Sequence, residues 1–354
     1  MGLKKYDEKE VQAKVEQEEA QIDAEQVEEK SELESIIDEN NKEWEALQNL
    51  DLDEKQRIVC ENIEKARNDY FAFSKKQKMI SNIVAGVVLV LMIASMVLVF
   101  TLGQKEGTTW VSYVALGLML VTVVGSFVVT KTVKGKLGAR ADEYIKILFE
   151  NVDGYLYSGE NFKELSIKTN GQIKDEIFMD CRFYKNLKNT KSRNLVCVKY
   201  KDKDLGIADL AGNILVKNRL SPMFLGRFYD YTSNYDKDDK RITMQIKGSN
   251  LSRPIDDVDD LKLVEGNSTY AIYTNDDEWR KVLTQKVIKD ITQLKIDKLL
   301  IDVVISIRKG KCSIGIDYVD EFMNIPVEKE FEFKNVKRSE HDLQKVLTIF
   351  DDLN

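Results

Sequence analysis

The chain has few of the residues from which compact catalytic and metal sites are built. Its 354 residues include only 3 prolines, 4 cysteines and 1 histidine. The cysteines form no CxxC pair and lie far apart, at Cys60, Cys181, Cys197 and Cys312. These spacings do not match those of zinc ligands, so we expect no metal site. Free reduced thiols are favoured, and a dispersed disulfide framework is the alternative.

Nucleophilic catalysis of the Ser/His/Asp or Cys/His kind would have to use His341. This histidine stands at the start of a charged terminal helix, where a surface position is expected rather than a general base. The chain also has no cofactor motif. The sequence therefore predicts no catalytic residue and no cofactor, and it favours a non-enzyme while leaving enzyme activity undecided.

Charge is absent from two long stretches, Met79–Leu102 and Gly107–Thr130, of 24 residues each. A helix crosses the hydrocarbon core of a bilayer with about 20 apolar residues. Both stretches are apolar on all sides rather than along one stripe. They predict a transmembrane helical hairpin within residues 75–136. Ionisable residues inside a membrane usually mark ion pathways, so their absence favours an anchor over a transporter.

The short connection GQKEG (Gly103–Gly107) is predicted to lie outside the cell. It carries one cation and one anion, whereas cations collect at the other ends of both stretches. These cations are Lys75, Lys76, Lys78, Lys131, Lys134, Lys136 and Arg140. Positive charge stays on the cytoplasmic side, so the pattern predicts a plasma (inner) membrane protein with both termini in the cytoplasm. GQKEG lacks the GxxxxGK[ST] spacing of a phosphate-binding loop.

Residues 1–74 form an acidic arm. They carry 10 Lys/Arg and 22 Asp/Glu, which leaves a net +5 for the rest of a chain whose total charge is −7. The composition of residues 1–30 predicts disorder or a solvated helix. Helical spacing of apolar residues at 33–47 and 59–73 predicts two short helices, the second starting at a capping box of Asp51 and Glu54. This helical arm indicates either a coiled coil with a partner or second copy, or packing on the chain's own cytoplasmic domain.

Residues 137–354 are predicted to form a cytoplasmic α+β domain of mixed strands and helices. Alternating or β-branched segments predict strands at 194–200, 204–210, 241–247, 268–274, 299–307 and 312–319. The turn between the last two holds Gly310, a residue that adopts positive φ readily. One helix is predicted after Asn275, with its stripe running from Trp279 to Leu294, and another after Ser339.

The segment SPMFLGRFYDY (221–231) is similar to a strand with the pattern FxGxF, formed here by Phe224, Gly226 and Phe228. DEIFMDCRFYKN before it and YAIYTNDDEWRKVLTQKVIKDI after it stand in the same order as in that family. With the two apolar stretches and residues 140–354, the chain resembles an uncharacterised family of bacterial two-span membrane proteins, domain of unknown function 3137. The resemblance implies an architecture and no catalytic residues. For the two aromatics and the glycine, core packing is favoured over a ligand groove.

One cluster of cations stands out between residues 182 and 203, where Asp202 is the only anion. Its members are Arg182, Lys185, Lys188, Lys191, Arg193, Lys199, Lys201 and Lys203. On a domain tethered to a bilayer, such a cluster is a candidate site for anionic lipid headgroups. The alternative is a solvated strand edge, where lysines prevent pairing with other sheets.

The sequence predicts a membrane-anchored binding or scaffolding protein that acts at the cytoplasmic face. Its expected partners are the lipid bilayer, anionic headgroups, and a protein or second copy bound through residues 33–74, but not nucleic acid. Two alternatives stay open. One is an enzyme or regulator acting on a membrane-bound substrate, and the other is an oligomeric pore or membrane-remodelling assembly.

Overall fold

The computed structural model describes residues 52–101, 109–216, 219–248, 252–292, 300–318 and 327–353. Within these ranges the protein is a mixed α+β fold, with two long apolar helices followed by an antiparallel sheet. The predicted coiled-coil segment at 33–47 lies outside the described residues. Contacts divide the described chain into a helical unit, residues 53–155 with 327–333, and a sheet unit, residues 156–318 with 334–353.

The helical unit contains α1 (Glu54–Thr101) and α2 (Thr109–Leu156). Asp53 and Gln56 form a capping box at the start of α1, whereas Asp51 of the predicted Asp51–Glu54 box lies outside the described residues. The N–H of Gln56 donates to Asp53 Oδ1 at 2.8 Å, and the N–H of Asp53 donates to Gln56 Oε1 at 3.1 Å. From there α1 continues into the apolar stretch without a break, and residues 54–79 contain no Pro or Gly that would interrupt it.

The polar halves of α1 and α2 are antiparallel neighbours. Gln56 Nε2, near the start of α1, donates to the hydroxyl of Tyr155, near the end of α2, at 2.9 Å. About four turns further along α1, the ring of Tyr70 stacks on that of Tyr144 with centroids 5.8 Å apart. The contacts advance along α1 as they retreat along α2, which the short connection between Thr101 and Thr109 requires.

The sheet unit is a nine-stranded antiparallel sheet in the order β1-β2-β3-β4-β9-β8-β5-β7-β6. Its strands are β1 (Phe162–Lys168), β2 (Leu187–Tyr200), β3 (Lys203–Val216), β4 (Arg219–Thr232), β5 (Arg241–Lys247), β6 (Lys262–Gly266), β7 (Tyr270–Thr274), β8 (Leu300–Arg308) and β9 (Lys311–Tyr318). All six predicted strands are present, and the turn between β8 and β9 has Gly310 at φ 70°.

One face of the sheet, the helix-covered face, packs against α4 (Gln285–Thr292) and α5 (Lys334–Asp352). The ring of Phe350 on α5 stacks on Tyr231 of β4 at 4.5 Å. The hydroxyl of Tyr200 on β2 donates to Asp351 at 2.9 Å. An amphipathic helix buries its apolar side in this way, and the α5 residues Val346 and Ile349 are fully buried.

The opposite face, the loop-covered face, packs against α3 (Asp175–Asp180) and residues 252–261. The ring of Phe178 on α3 lies 5.2 Å from that of Phe224 and 5.2 Å from that of Phe228. These three rings form the centre of a hydrophobic cluster. Their burial supplies much of the stabilisation of this side of the sheet.

The helix predicted after Asn275 is divided in the structure. A 3₁₀ turn at Trp279–Lys281 comes first, and α4 begins only at Gln285. Residues 282–284 separate the two. The terminal helix α5 begins at Lys334, earlier than the predicted start after Ser339. The stripe predicted after Asn275 is nevertheless buried where it is described, since Trp279, Leu283, Val287 and Ile291 all lie in the core.

Candidate functional site

A groove of about 430 Å³ lies in the sheet unit where β2, β3 and β4 run side by side. Its lining residues are Gln172, Lys191, Ser192, Arg193, Asp209, Leu210, Ala211, Leu225 and Gly226. All but Gln172 belong to these three strands. Grooves of this size are typical of small-molecule sites, which are mainly apolar with a few placed polar groups.

Strand register explains how the groove combines apolar and cationic groups. Lys191 of β2 stands opposite Ala211 of β3, which stands opposite Leu225 of β4. Side chains alternate between the faces of a strand, so residues that share a row share a face. Leu225 and Ala211 are half-buried and Lys191 is exposed. The cation therefore stands beside an apolar surface.

The next row of the sheet buries two opposite charges beside the groove. Asp209 stands opposite Arg227, whose side chain is 1% exposed, and the two are 3.8 Å apart between Oδ1 and Nη1. Asn194 Nδ2 donates to Asp209 Oδ2 at 2.5 Å, and Arg227 Nη2 donates to the hydroxyl of Tyr157 at 3.4 Å. A buried ion is tolerated when it is paired and hydrogen-bonded, and removing one partner is costly.

The position of Asn194 depends on an irregularity in β2. The register between β2 and β3 shifts between Arg193 and Val196, and Asn194 has φ 56° in the left-handed region. Asparagine adopts this conformation more readily than most residues. A β-bulge changes the direction of nearby side chains, and here it brings the Asn194 amide into contact with Asp209.

A second polar cluster lies on the loop-covered face. Asp302 of β8 stands opposite Asp317 of β9, and both side chains are buried. Asp302 accepts from the Ser252 hydroxyl at 2.5 Å and from the Arg253 N–H at 3.2 Å. Asp317 accepts from the Leu225 N–H at 2.7 Å.

Burial raises the pKa of both carboxyl groups because the charged form loses hydration. The pKa of Asp302 rises to about 6. The pKa of Asp317 rises to about 7, with the neighbouring Asp302 adding to the effect of burial. The cluster is thus a pair of buried acids that titrate near neutral pH. Perturbed carboxyl groups of this kind occur in active sites and also in structural networks.

The structure does not keep the eight predicted cations together as one open patch. Arg182 contacts Asp257 and Asp260, both at 2.9 Å, and Lys185 contacts Asp259 at 2.5 Å. The Arg182 hydrogen bonds to the two carboxylates raise its pKa.

The remaining cations lie along β2 and the β2–β3 turn. Lys199 pairs with Glu164 at 2.7 Å and Lys201 with Asp351 at 2.7 Å. Lys203 donates to Asn234 at 2.8 Å, and burial lowers its pKa. Lys188 is exposed on β2, whereas Lys191 and Arg193 line the groove. Binding of anionic headgroups by the cluster stays a prediction, and the structure brings only these last two into one concave site.

The FxGxF residues lie in the sheet interior. Phe224 and Phe228 are 1% and 0% exposed and contact Phe178, as the favoured core interpretation expects. A Cβ added to Gly226 would lie 1.8 Å from the carbonyl oxygen of Ile316. Glycine is required because β4 and β9 approach each other too closely there for any side chain.

The functional candidates that the sequence interpretation missed are Asp209, Arg227, Asp302 and Asp317. Each is a charged residue inside an otherwise apolar strand segment, as in LLIDVVISI and CSIGIDYV. This pattern could have identified them in the sequence, because an isolated charged residue within a buried strand must be paired or neutralised. Their partners could not be read from the sequence, since they lie on strands that are distant along the chain.

Among the described residues, no group of three or more His, Cys, Asp or Glu side chains is placed to hold a metal ion. Cys181 and Cys312 are buried, Cys60 is half-buried and Cys197 is exposed, and all four are free thiols. Burial raises the pKa of Cys181 to about 11, which makes it a poor nucleophile at neutral pH.

Compared with protein-family models, with curated proteins and with solved structures, the chain has no match. The resemblance to the bacterial two-span family therefore stays a prediction. Two helices, α1 and the part of α2 from Trp110, are long and apolar enough to cross a membrane by length and composition.

Proposed function

We propose that the chain is a membrane-anchored binding protein. Its apolar hairpin would cross a bilayer, and its α+β domain would bind a ligand at the cytoplasmic face. The observation that carries the proposal is the exposure of the apolar stretches. Only 6% and 11% of the residues in their most apolar windows are buried, whereas the core helix of a soluble protein is mostly buried.

The exposed residues are large and surround both helices. Val90 and Phe100 on α1 are 64% and 67% exposed, and Val121 and Phe127 on α2 are 70% and 69% exposed. Contiguous apolar surfaces of this extent need a non-aqueous environment, and a lipid core supplies one. Ionisable side chains are absent from both stretches, which supports an anchor rather than a conducting path.

The cationic flanks support an orientation with both termini in the cytoplasm. Lys75, Lys76 and Lys78 are exposed just before the first stretch, and Lys131 and Lys134 just after the second. Positive residues near the ends of a span are retained on the cytoplasmic side. The α+β domain would then face the cytoplasm, and the groove on β2–β4 is a concave site within that domain.

Cysteine labelling with a membrane-impermeant maleimide on intact cells tests this topology. The chain supplies its own internal reporter in Cys197, which is exposed, and a second reporter is introduced by Gln104→Cys. A Cys60→Ser background removes the half-buried thiol, and Cys181 and Cys312 are buried. We expect labelling at residue 104 in intact cells and at Cys197 only after the cells are permeabilised.

Labelling of Cys197 in intact cells would overturn the orientation. Absence of labelling at residue 104 before permeabilisation, followed by labelling after it, would show that the connection lies inside. If Cys197 is also labelled only after permeabilisation, that result would refute the crossing. A protein recovered entirely in the soluble fraction after cell lysis would refute membrane anchorage itself.

A further inference from the structure

We propose that six lysines beside the apolar stretches bind the phosphate groups of anionic phospholipids. These residues, which we call the lysine collar, are Lys75, Lys76 and Lys78 of α1 and Lys131, Lys134 and Lys136 of α2. The inference deepens the proposed function by naming a lipid partner. It rests on membrane anchorage, because only an inserted hairpin brings the collar to the headgroups. All six residues lie within the helical unit.

No acid of the two helices neutralises the collar. All six side chains are exposed, and within the described ranges none of them forms an ion pair with a carboxylate. Along α1 the nearest acid is Asp69, and along α2 it is Asp142. Arg140 makes a contrast, because it pairs with Glu143 at 2.5 Å. The charge of the collar is therefore available to anions that lie outside the helical pair.

The register of the helical pair puts the lysines of both helices in one belt. Asn62 of α1 donates to Asn151 of α2 at 3.0 Å. Eleven residues further along α1, the ring of Phe73 lies 5.7 Å from the guanidinium of Arg140, which stands eleven residues earlier on α2. Continued toward the apolar stretches, this register places the α2 lysines of the collar level with residues 77–82 of α1. At 1.5 Å per residue, the whole collar is about 10 Å tall.

The depth of the collar matches the headgroup layer of a bilayer. This layer is about 5–7 Å thick on each side of the hydrocarbon core. Lys75 lies four residues before Met79, the first residue of the apolar stretch, which is about 6 Å along the helix. The flexible stem of a lysine lets its ammonium group reach toward the interface. The phosphates of the surrounding lipids are therefore within reach of the collar once the hairpin is inserted.

Like charges stand side by side within the collar. Lys75 and Lys78 are three residues apart on α1, and Lys131 and Lys134 are three residues apart on α2. Residues at this spacing are neighbours on a helix surface, and two cations placed there repel each other. A phosphate between them accepts hydrogen bonds from both ammonium groups and offsets the repulsion. A zwitterionic headgroup brings a cation together with its phosphate, so a lipid with net negative charge is favoured.

Spin-labelled lipids in nanodiscs that contain the full chain test the inference. The bilayer is phosphatidylcholine, and the probe is either phosphatidylglycerol or phosphatidylcholine with the same nitroxide on its acyl chain. Electron paramagnetic resonance measures the fraction of each probe that is immobilised against the protein. We expect phosphatidylglycerol to associate about fivefold more strongly than phosphatidylcholine. Both leaflets have the same composition, so the orientation of the hairpin does not affect the result.

Two triple variants separate the collar from general charge. The first combines Lys75→Gln, Lys76→Gln and Lys78→Gln. The control combines Lys55→Gln, Lys65→Gln and Lys146→Gln, at exposed positions on the polar halves of the same helices. We expect the first variant to lower the preference for phosphatidylglycerol to less than about twofold, and the control to keep it. Lys→Arg changes at the three collar positions should also keep it, because arginine retains the charge. Glutamine and lysine have similar helix propensity, so both helices should be retained.

Equal association of the two probes with the wild-type chain would overturn the inference, and so would an equal loss of preference in both glutamine variants. A preference that emerges only when residues 1–51 are deleted would also overturn it, because the acidic arm would then be the occupant of the collar. A chain that does not co-purify with the nanodiscs refutes membrane anchorage and the inference together. A chain that is incorporated but shows no preference refutes the role of the collar alone.

Discussion

At the scale of residues, the sheet holds charged side chains at positions where most strands hold apolar ones. Arg227, Asp209, Asp302 and Asp317 are all at most 7% exposed. Arg227 and Asp209 offset each other, whereas Asp302 and Asp317 are two acids on neighbouring strands. Ionising both carboxyl groups in a low-dielectric site costs free energy, because the two negative charges repel each other. The sheet therefore loses stability when Asp302 and Asp317 become charged.

The first prediction concerns the pH dependence caused by Asp302. Its pKa is about 6 in the folded chain and about 3.9 when unfolded. Because its pKa is raised, Asp302 contributes about 3 kcal/mol to the free energy of unfolding below pH ~4. This contribution is lost as the pH rises to ~6. Asp302→Asn removes this loss. Between pH 4 and pH 7, the thermal unfolding temperature of the wild type should fall by several degrees relative to that of the variant.

Other ionisable groups face the same site, so the comparison needs a control. Tyr184, Arg253 and Asp256 all interact electrostatically with this pair or its neighbours. Asp259→Asn makes the same charge change on a side chain that is 80% exposed. Its unfolding temperature should follow that of the wild type across the same pH range. A constant difference between the wild type and Asp302→Asn at every pH would contradict the prediction.

Single residues were predictable where one local property decided their place. The aromatics of FxGxF were expected in the core because alternation puts both on one face, and the two are buried there. The ion pairs of Arg182 were not predictable, since its partners Asp257 and Asp260 are about 75 residues away. A cation-rich segment looks open in the sequence when its acids come from another part of the chain.

At the scale of elements, a strap of residues 327–333 is held on α1 by a buried arginine. Arg67 Nη1 donates to the carbonyl oxygen of Val327 at 2.6 Å, and Arg67 Nε donates to Glu64 at 2.8 Å. Glu64 in turn accepts from the Phe331 N–H at 3.1 Å. The side chain of Arg67 is 7% exposed. One guanidinium thus organises both ends of the strap.

The second prediction is that Arg67→Met loosens this strap. Methionine keeps much of the volume but loses the donors, so the Val327 carbonyl and Glu64 lose partners, at a cost of about 1–3 kcal/mol. Hydrogen exchange of the peptide spanning residues 327–333 should become at least about tenfold faster. Lys146→Met is the control, because Lys146 and Glu150 form an exposed pair on α2. Unchanged exchange in Arg67→Met would show that the apolar contact of Phe333 with Tyr155 holds the strap by itself.

Elements were predictable where their periodicity was strong. The central strands alternate or are β-branched throughout, and the apolar stripe of the terminal helix is regular. The edge strands β1 and β6 were missed because both are mainly exposed, so no apolar face is imposed on their sequences. The strap was missed for another reason. Its partner Arg67 lies 260 residues away along the chain.

At the scale of the whole molecule, the two apolar stretches dominate the chain's environment. α1 and α2 are 48 residues long, about 72 Å at 1.5 Å per residue, whereas a hydrocarbon core is about 30 Å thick. Only part of each helix can lie in lipid. The remaining polar turns form the antiparallel pair that carries the strap. The boundaries of the apolar part could be predicted from the sequence because charge is absent from that segment and dense beside it.

The third prediction tests which part of α1 lies in lipid. Two arginines at Val90 and Ile93, which are 64% and 54% exposed, would place charge at mid-span and oppose insertion by about 6 kcal/mol. The control pair is Ile58→Arg with Phe71→Arg, whose side chains are 50% and 38% exposed on the same helix. We expect the Val90/Ile93 variant to lose resistance to an alkaline membrane wash, while the control pair stays with the membrane. Both variants add two cations to apolar, exposed positions of one helix, so equal behaviour in the wash would show that the exposed residues of α1 share one environment. That result would refute a lipid boundary between Phe71 and Val90.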